Sequence, residues 1–432
     1  MARLTHHELI VLLLAISTML ILSRMVGELG KKIGLPMVMG ELLVGVGLGP
    51  TLLGAWCPNV SAFLFPFTSS AGFALALDGI LSLSVIMLLF VAGLELQLSQ
   101  VVRHGRVAIF TGFGSMLLPF VSGFGVAWLA PQWFGAQAGS SNHLLFALFL
   151  GTAMAISALP VIARILLDLK LFQTEVGMVI ISAAIFNDVV GWLVFSFILS
   201  MVAQDGGHGE VGATILYIIS FSAFMLTVGR FLCNRALPWV QGRLSWPGGV
   251  LALSLGLCLL SAAFTEAIRI HTILGAFIAG ITIGDSPHLR EHARVIMHQF
   301  VTNFFAPLFF VSIGLKVNFF QHFDGLIVMV VLVLAFVGKV AGASLGARLG
   351  GMAARPALAV AFGLNARGAM EIILGSLAYE AGLINHQVFV ALVVMALVTS
   401  IASAPLMRYF LEEKSGLSRK TQSTDSPKGS GR

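Results

Sequence analysis

The sequence predicts an all-α polytopic membrane protein of about thirteen transmembrane helices, built as an inverted repeat and interrupted by two discontinuous helices. Three observations carry that prediction. The 432-residue chain is 58% hydrophobic and only 10% charged, with a mean hydropathy of +0.97. Apolar runs of spanning length recur from end to end, and two glycine-rich segments match each other at one constant offset. No soluble chain of this length needs so much apolar surface.

A hydrocarbon core of roughly 30 Å takes about 20 apolar helical residues. Runs at 9–26, 36–54, 76–97, 105–130, 144–167, 176–203, 211–232, 248–266, 271–284, 299–317, 325–347, 356–380 and 386–410 meet or approach that length. The second and ninth are short and rich in glycine. No small-residue cleavage site follows the first run before Arg24 and Lys31-Lys32, so it reads as a span and not as a signal peptide. The longest loops, about 55–75 and 131–143, are uncharged or nearly so.

Charge placement gives orientation. Of the 25 Lys and Arg residues, only Arg3, Arg269 and Lys316 fall on one side, Lys339 and Arg367 fall inside spans, and all the rest fall on the other side. The positive-inside rule then puts the N-terminus outside and the C-terminus in the cytoplasm, with the protein a multi-pass component of the plasma (inner) membrane. The asymmetry also supports an odd number of spans. The formal charge of +6 therefore reflects topology, and no basic segment is interleaved with aromatics as a nucleic-acid surface would be. Residues 1–411 form the membrane domain, and the Ser/Lys/Gly-rich stretch 412–432 reads as a disordered cytoplasmic tail. Cys57, Cys233 and Cys258 have no metal or redox spacing, and their odd number argues against a disulfide framework. There is no Walker A pattern, so ATP is not expected as a partner, nor is any cofactor or enzymatic activity.

Residues 40–49 read GELLVGVGLG and residues 275–284 read GAFIAGITIG, so Gly40, Gly45 and Gly49 match Gly275, Gly280 and Gly284. VAGLEL (91–96) likewise resembles VSIGLKV (311–317), with Gly93 over Gly314. Small residues at this spacing can simply pack helices closely. Here span 2 runs inward to outward and span 9 runs the other way, which makes the repeat inverted. Inverted repeats build secondary transporters, with the site near the midplane at the repeat interface.

Asp188, after Asn187, stands twelve residues into the sixth run counted from Val176. At about 1.5 Å per residue that is about 18 Å along the helix, near mid-membrane. An acid there costs roughly 2.5–3.5 kcal/mol on insertion scales and by default marks an ion or proton path; the plainer alternative is an acid neutralised by a neighbouring helix for packing. Two candidate broken helices accompany it. Span 5 reads GTAMAISALPVIARIL, where Pro160 lacks an amide proton and crowds the preceding turn, freeing carbonyls near Ala155, Ile156 and Ser157, and where Thr152 and Ser157 add hydroxyls. Span 12, its counterpart in the second half, reads AFGLNARGAMEIIL, with Gly363, Asn365 and Gly368 around Arg367. Unwound backbone at this depth is tolerated only where it lines a cavity or is buried in protein.

Other charges are weighed more plainly. Lys339 lies near mid-depth in span 11 and can pair with Asp188, pair with a helix C-terminus, or carry a proton. Arg367 and Glu371 stand at i and i+4, the spacing of a local salt bridge. Glu41 and Glu95 lie near span ends and receive no role. His288, His292 and His298 fall in the cytoplasmic stretch 285–298, where a pH sensor is one reading and a solvated loop the plainer one.

The stretch AISALPVIARILLDLKLFQTEVGMVIISAAIFNDVVGW (155–192) resembles the core of the monovalent cation:proton antiporter-2 family, especially plant cation/H+ exchangers and bacterial sodium/proton antiporters. GLPMVMGELLVGVGLGPTLLG (34–54), APLFFVSIGLKVN (306–318) and LNARGAMEIIL (364–374) agree, and the resemblance runs over about residues 9–410. It implies a sodium/proton antiporter-like fold, with a core, a dimerisation domain, crossed broken helices, elevator-like alternating access and a homodimer. By position, Asp188 matches the family's ion-carrying aspartate. Asn187 matches a preceding residue that is Asp in electrogenic members and Asn in many electroneutral ones, and Lys339 matches the lysine that pairs with that Asp. Ala183 and Ala184, one turn before Asp188, add no ligand. Coordination of the transported cation then rests on Asp188, Thr152 or Ser157, backbone carbonyls and water.

The expected activity is exchange of Na+ or K+ for H+ across the bilayer. Protonated and cation-bound Asp188 are both close to neutral and can cross a low-dielectric barrier, whereas the bare carboxylate crosses only at high cost. With Lys339 permanently charged, exchange is electroneutral; if Lys339 also releases a proton, it is electrogenic. A channel-like potassium efflux pathway and a transport-inactive sensor remain open on the sequence alone.

Overall fold

A computed structural model describes residues 4–32, 37–67, 70–96, 105–135, 143–172, 174–203, 211–316, 318–319 and 321–422. Arg3, Arg103 and the tail from 423 onward lie outside the described residues. The first membrane-crossing elements are α1 (His6–Lys32), α2 (Met37–Leu48), then the short α3 (Leu53–Trp56) and α4 (Pro58–Leu64), and α5 (Ala71–Glu95). Next come α6 (Gly105–Leu129), the half-helices α7 (His143–Ala155) and α8 (Leu159–Asp168), and α9 (Glu175–Ala203). A rod of α10 (Val211–Phe224) and α11 (Arg230–Arg243), joined by a π turn, leads to α12 (Gly248–Ala267) and α13 (Thr272–Gly284). Then follow α14 (Glu291–Phe300) and α15 (Ala306–Lys316), joined by another π turn, α16 (Gly325–Leu349), the half-helices α17 (Ala354–Leu364) and α18 (Ala369–Glu380), and α19 (His386–Gln422).

Eleven rods among the described residues are long and apolar enough to cross a bilayer, the bent pair α17/α18 is a twelfth, and the short apolar α13 accounts for the remaining predicted span. Helix starts follow local chemistry. Asp324 caps α16, its Oδ1 accepting from the amides of Leu326 at 2.9 Å and Ile327 at 3.2 Å. Ser70 caps α5, accepting from the Phe73 amide at 3.3 Å while donating to Glu8 Oε1 of α1 at 2.7 Å.

Three details differ from the sequence expectation. The loop 55–75 contains half of α3 and all of α4, which starts on Pro58, where a missing amide proton costs nothing. The tenth span begins eight residues early, at Glu291, because α14 is amphipathic: Ala293 and Met297 are buried while Glu291 is exposed. His292 and His298 are thus helical, and only His288 of the three lies in a turn. The tail expected to be disordered from Glu412 continues α19 as helix to Gln422.

The helices sort into two bundles. One packs α6, α7/α8, α9, α16, α17/α18 and α19 together; the other packs α1, α2, α5, α12, α13 and α14/α15. Glycines set the second bundle's geometry in matched pairs. A Cβ on Gly45 of α2 would stand 2.2 Å from the Val311 carbonyl oxygen and 2.9 Å from the Gly314 Cα of α15. A Cβ on Gly280 of α13 would stand 2.1 Å from the Phe90 carbonyl oxygen and 3.0 Å from the Gly93 Cα of α5. The two contacts are therefore counterparts under the repeat: Gly45 meets Gly314 as its equivalent Gly280 meets Gly93, each across the two halves. Backbone lies against backbone here, so a larger residue has nowhere to go. Gly45→Val and Gly280→Val are each expected to cost at least the about 1–3 kcal/mol of an overpacked core, seen as loss of the monodisperse peak on size exclusion in detergent; a wild-type peak and melting temperature would contradict it.

Candidate ion-binding site at two broken helices

α7 ends at Ala155 and α8 begins at Leu159, leaving Ile156–Ala158 out of regular helix. The helix is broken here, as the sequence suggested, and Pro160 does not kink a continuous one. It sits in the first turn of α8, where its ring fits and no helical amide is lost. In the other half, α17 ends at Leu364 and α18 begins at Ala369, with a bend of 48° between them. The two unwound stretches meet, and the Ala158 amide donates to the Ala366 carbonyl at 3.1 Å. Ser157 Oγ donates to the Leu364 carbonyl at 2.9 Å, satisfying one of the open carbonyls at the end of α17.

The end of α7 carries a partial negative charge from its unsatisfied carbonyls, and two buried cations meet it. Arg367, fully buried, donates through Nη1 to the Ala153 carbonyl at 2.7 Å and through Nη2 to the Met154 carbonyl. Lys339 of α16, also fully buried, donates to the Ala155 carbonyl. Arg367 Nη1 also pairs with Glu371 Oε1 at 2.7 Å, and Glu371 stands in the first turn of α18, where an acid suits the positive helix end. Ser400 of α19 donates to the Arg367 carbonyl.

Asn187 and Asp188 lie on α9, 0% and 1% exposed. With the Asn187 amide turned so that its oxygen faces donors, Oδ1 accepts from Lys339 Nζ at 3.2 Å and from Ser115 Oγ at 2.9 Å, and Nδ2 donates to the Gly112 carbonyl at 3.0 Å. Lys339 thus has an amide oxygen where a carboxylate would make an ion pair, and a helix C-terminus as its second acceptor. Asp188 is in the electrostatic reach of Lys339 but is not ion-paired with it among the described residues. Its Oδ1 has no hydrogen-bond partner there. Thr111 Oγ1 of α6 and both side-chain polar atoms of Asn365 are likewise buried and unpartnered. Thr152 Oγ1 donates to the Leu148 carbonyl of its own helix at 2.7 Å, which leaves its lone pairs for a ligand.

A cavity of about 340 Å³ separates the two bundles at the Lys/Arg-rich end. Pro160, Ala369 and Met370, in the first turns of α8 and α18, form part of one wall, and Glu41 and Glu95 belong to the other. An approach from solution to the crossing is therefore built from both bundles.

A family model described as the transmembrane sodium/hydrogen exchanger matches residues 13–408. The chain belongs to this family. Within it, the chain is 30% identical over 93% of its own length and 97% of the other's to the Na(+)/H(+) antiporter NhaS4 of a Synechocystis strain. It is 32% identical to Cation/H(+) antiporter 20 of Arabidopsis thaliana over 94% of its length, and spans about half (49%) of that longer relative. The K(+)/H(+) antiporter 1 of Saccharomyces cerevisiae is 29% identical over 86% of the chain and 43% of its own length. In fold, the chain matches the sodium proton antiporter MjNhaP1 from Methanocaldococcus jannaschii with a TM-score of 0.64, 17% identity, and coverage of 93% and 97% of the two chains.

Sequence reading had missed Ser115 and Thr111 in this exchanger-family chain. Both are small hydroxyl residues in an apolar run, which helices also use for close packing. Ser115 becomes significant only once α6 is seen to bring it to Asn187.

Proposed function

We propose that Asp188 alternately binds a monovalent cation, Na+ or K+, and a proton, and that the protein exchanges one for the other across a bilayer by alternating access. The observation that carries this reading is the Asp188 carboxyl itself: 1% exposed, with Oδ1 lacking any partner among the described residues, one residue from the Asn187–Lys339 link to the broken helices. A bare carboxylate so placed is costly, and either a proton or a cation relieves it. Lone pairs of Thr152 and Ser157 and the carbonyls of the unwound stretches complete a cation's shell. The names of the relatives, which include both Na(+)/H(+) and K(+)/H(+) antiporters, support this substrate class and leave the two ions side by side.

Lys339 keeps its charge throughout, held by the Ala155 carbonyl and the Asn187 amide oxygen. One proton then leaves for each cation bound, and the cycle moves no net charge. The bundle containing α9 and both broken helices carries the ion; the bundle of α1, α2, α5 and α12–α15 is the scaffold and forms the homodimer. Exposed apolar side chains such as Leu13, Ile21 and Met25 on α1 suit bilayer or a second copy. The basic end faces the cytoplasm, with the N-terminus outside the plasma membrane, as the Lys/Arg asymmetry supports.

The test is cation-driven collapse of a pH gradient in proteoliposomes, with Na+ and K+ titrated separately and a membrane potential imposed. Exchange with either ion at a rate indifferent to the potential is expected. Cation flux without counter-moving protons would overturn antiport, and a steep voltage dependence would overturn the one-proton cycle.

A further inference from the structure

We propose that Glu41 is a second proton-exchanging carboxyl, set in the scaffold wall of the cavity at the basic end and facing the bundle that carries Asp188; this rests on the reading of Asp188 as the exchanged acid. Glu41, on α2, is only 2% exposed, and its Oε2 is buried without a hydrogen-bond partner among the described residues. It nonetheless lines the cavity whose opposite wall holds Pro160, Ala369 and Met370. A buried carboxyl left unpaired is expensive, and an apolar or amide residue of similar size would fill the same space at lower cost. What such residues cannot do is take up and release a proton.

The surroundings decide between a proton and a metal cation. The other charged or titratable groups lining the cavity are Arg24, Lys31, Glu95, Arg164 and His298. Arg24 and Lys31 are both paired with Glu28, at 2.9 and 3.0 Å, and Arg24 also donates to Asn303 at 3.1 Å. Glu95 Oε1 is engaged by His298 Nε2 at 2.8 Å. Glu41 thus keeps an unengaged oxygen in a cavity whose rim is rich in cations. A single open carboxyl oxygen suffices to hold a proton, whereas a sodium or potassium ion at rest needs several oxygens around it. In the step assigned to Glu41, the O–H bond of Asp188 breaks as the cation binds. The proton reaches the Glu41 carboxylate through cavity water, and Glu41 releases it to solution at the basic end. The same path in reverse reprotonates Asp188.

Glu41→Gln, reconstituted and assayed at saturating cation, is expected to lower the maximal exchange rate at least about tenfold, less than the roughly 10²–10⁴-fold that a general acid–base group in a catalytic step contributes. The loss is expected to be greatest at alkaline pH on the basic-end side, with the half-saturating cation concentration unchanged. Glu41→Asp, or a high concentration of a small buffer such as imidazole on that side, should restore part of the rate, which a packing defect would not allow. Wild-type rate and pH profile in Glu41→Gln, or a slow variant that neither Asp nor buffer rescues, would overturn the proposal. An independent measurement uses the unmodified protein. A hydrophobic carbodiimide, which couples to protonated carboxyls, should modify Glu41 in a way that declines as pH rises, mapped by mass spectrometry; no adduct at Glu41 at any pH would equally overturn it. Asp188→Asn is run in parallel. If that variant still exchanges, the reading of Asp188 fails; if it is silent while Glu41→Gln behaves as wild type, only the role of Glu41 fails.

Discussion

Asp188→Asn is expected to reduce cation/proton exchange below detection while leaving the protein folded. The two parts of that expectation have separate causes. Asparagine nearly reproduces the shape of aspartate but neither ionises nor takes up a proton, so the alternation between proton and cation is lost at its source. The fold is spared because Asp188 Oδ1 makes no hydrogen bond among the described residues, and no ion pair holds the side chain there. Removing an ionisable group that contributes no structural contact relieves a desolvation cost instead of exposing one. Melting temperature in detergent should therefore stay level or rise, and the size-exclusion profile should match wild type. Substantial residual exchange would move the ion-carrying role elsewhere. A collapse of folding would show that Asp188 is a packing group.

Much of this arrangement was legible in the sequence because its causes are local. Apolar runs report spans directly, and a depth of twelve residues into such a run places Asp188 without any partner being known. The glycine match was legible for a related reason: a backbone-to-backbone contact demands glycine on both sides. Gly45 with Gly314 and Gly280 with Gly93 keep that signature whatever surrounds them. The pairing of Arg367 with Glu371 was legible from the i, i+4 spacing, although Arg367 itself stands in the unwound stretch just before α18.

What the sequence left open depends on contacts between distant segments. Lys339 had two candidate partners and a proton-carrying alternative, and its actual partners waited on α7 ending beside it and on α9 presenting the Asn187 amide. Pro160 was read through its effect on the preceding turn, whereas the chain uses it to start a helix after a break that the crossing with α17/α18 stabilises. Glu41 looked like a span-end acid because α2 is short. Its burial comes from neighbours packed against α2, including α1 and α15. His298 was placed in a loop because polar residues outnumber apolar ones around it. Packing of Ala293 and Met297 is enough to make that stretch a helix and to bring His298 to Glu95.

Arg367→Gln is expected to be the most destabilising single change in the region of the crossing. The guanidinium is fully buried and serves the Ala153 and Met154 carbonyls and the Glu371 carboxylate together. Its loss leaves a buried carboxylate without its cation, a change that costs about 3–5 kcal/mol when one partner of a buried pair is removed. The freed carbonyls at the end of α7 add to that, since each unsatisfied buried group costs about 1–3 kcal/mol. Arg367→Lys should recover little, because a single ammonium cannot reproduce a planar fork directed at two successive carbonyls and a carboxylate. The double variant Arg367→Gln/Glu371→Gln separates the contributions. It removes the stranded charge but not the open carbonyls, so it should melt between Arg367→Gln and wild type in a thermal unfolding series. If the double variant is no more stable than the single one, the charge of Glu371 is not what Arg367 offsets, and the carbonyls of α7 account for the whole effect. If Arg367→Gln itself melts as wild type, the crossing is held by the Ala158–Ala366 backbone bond and the packing around it, and the half-helix dipole needs no fixed cation at this position.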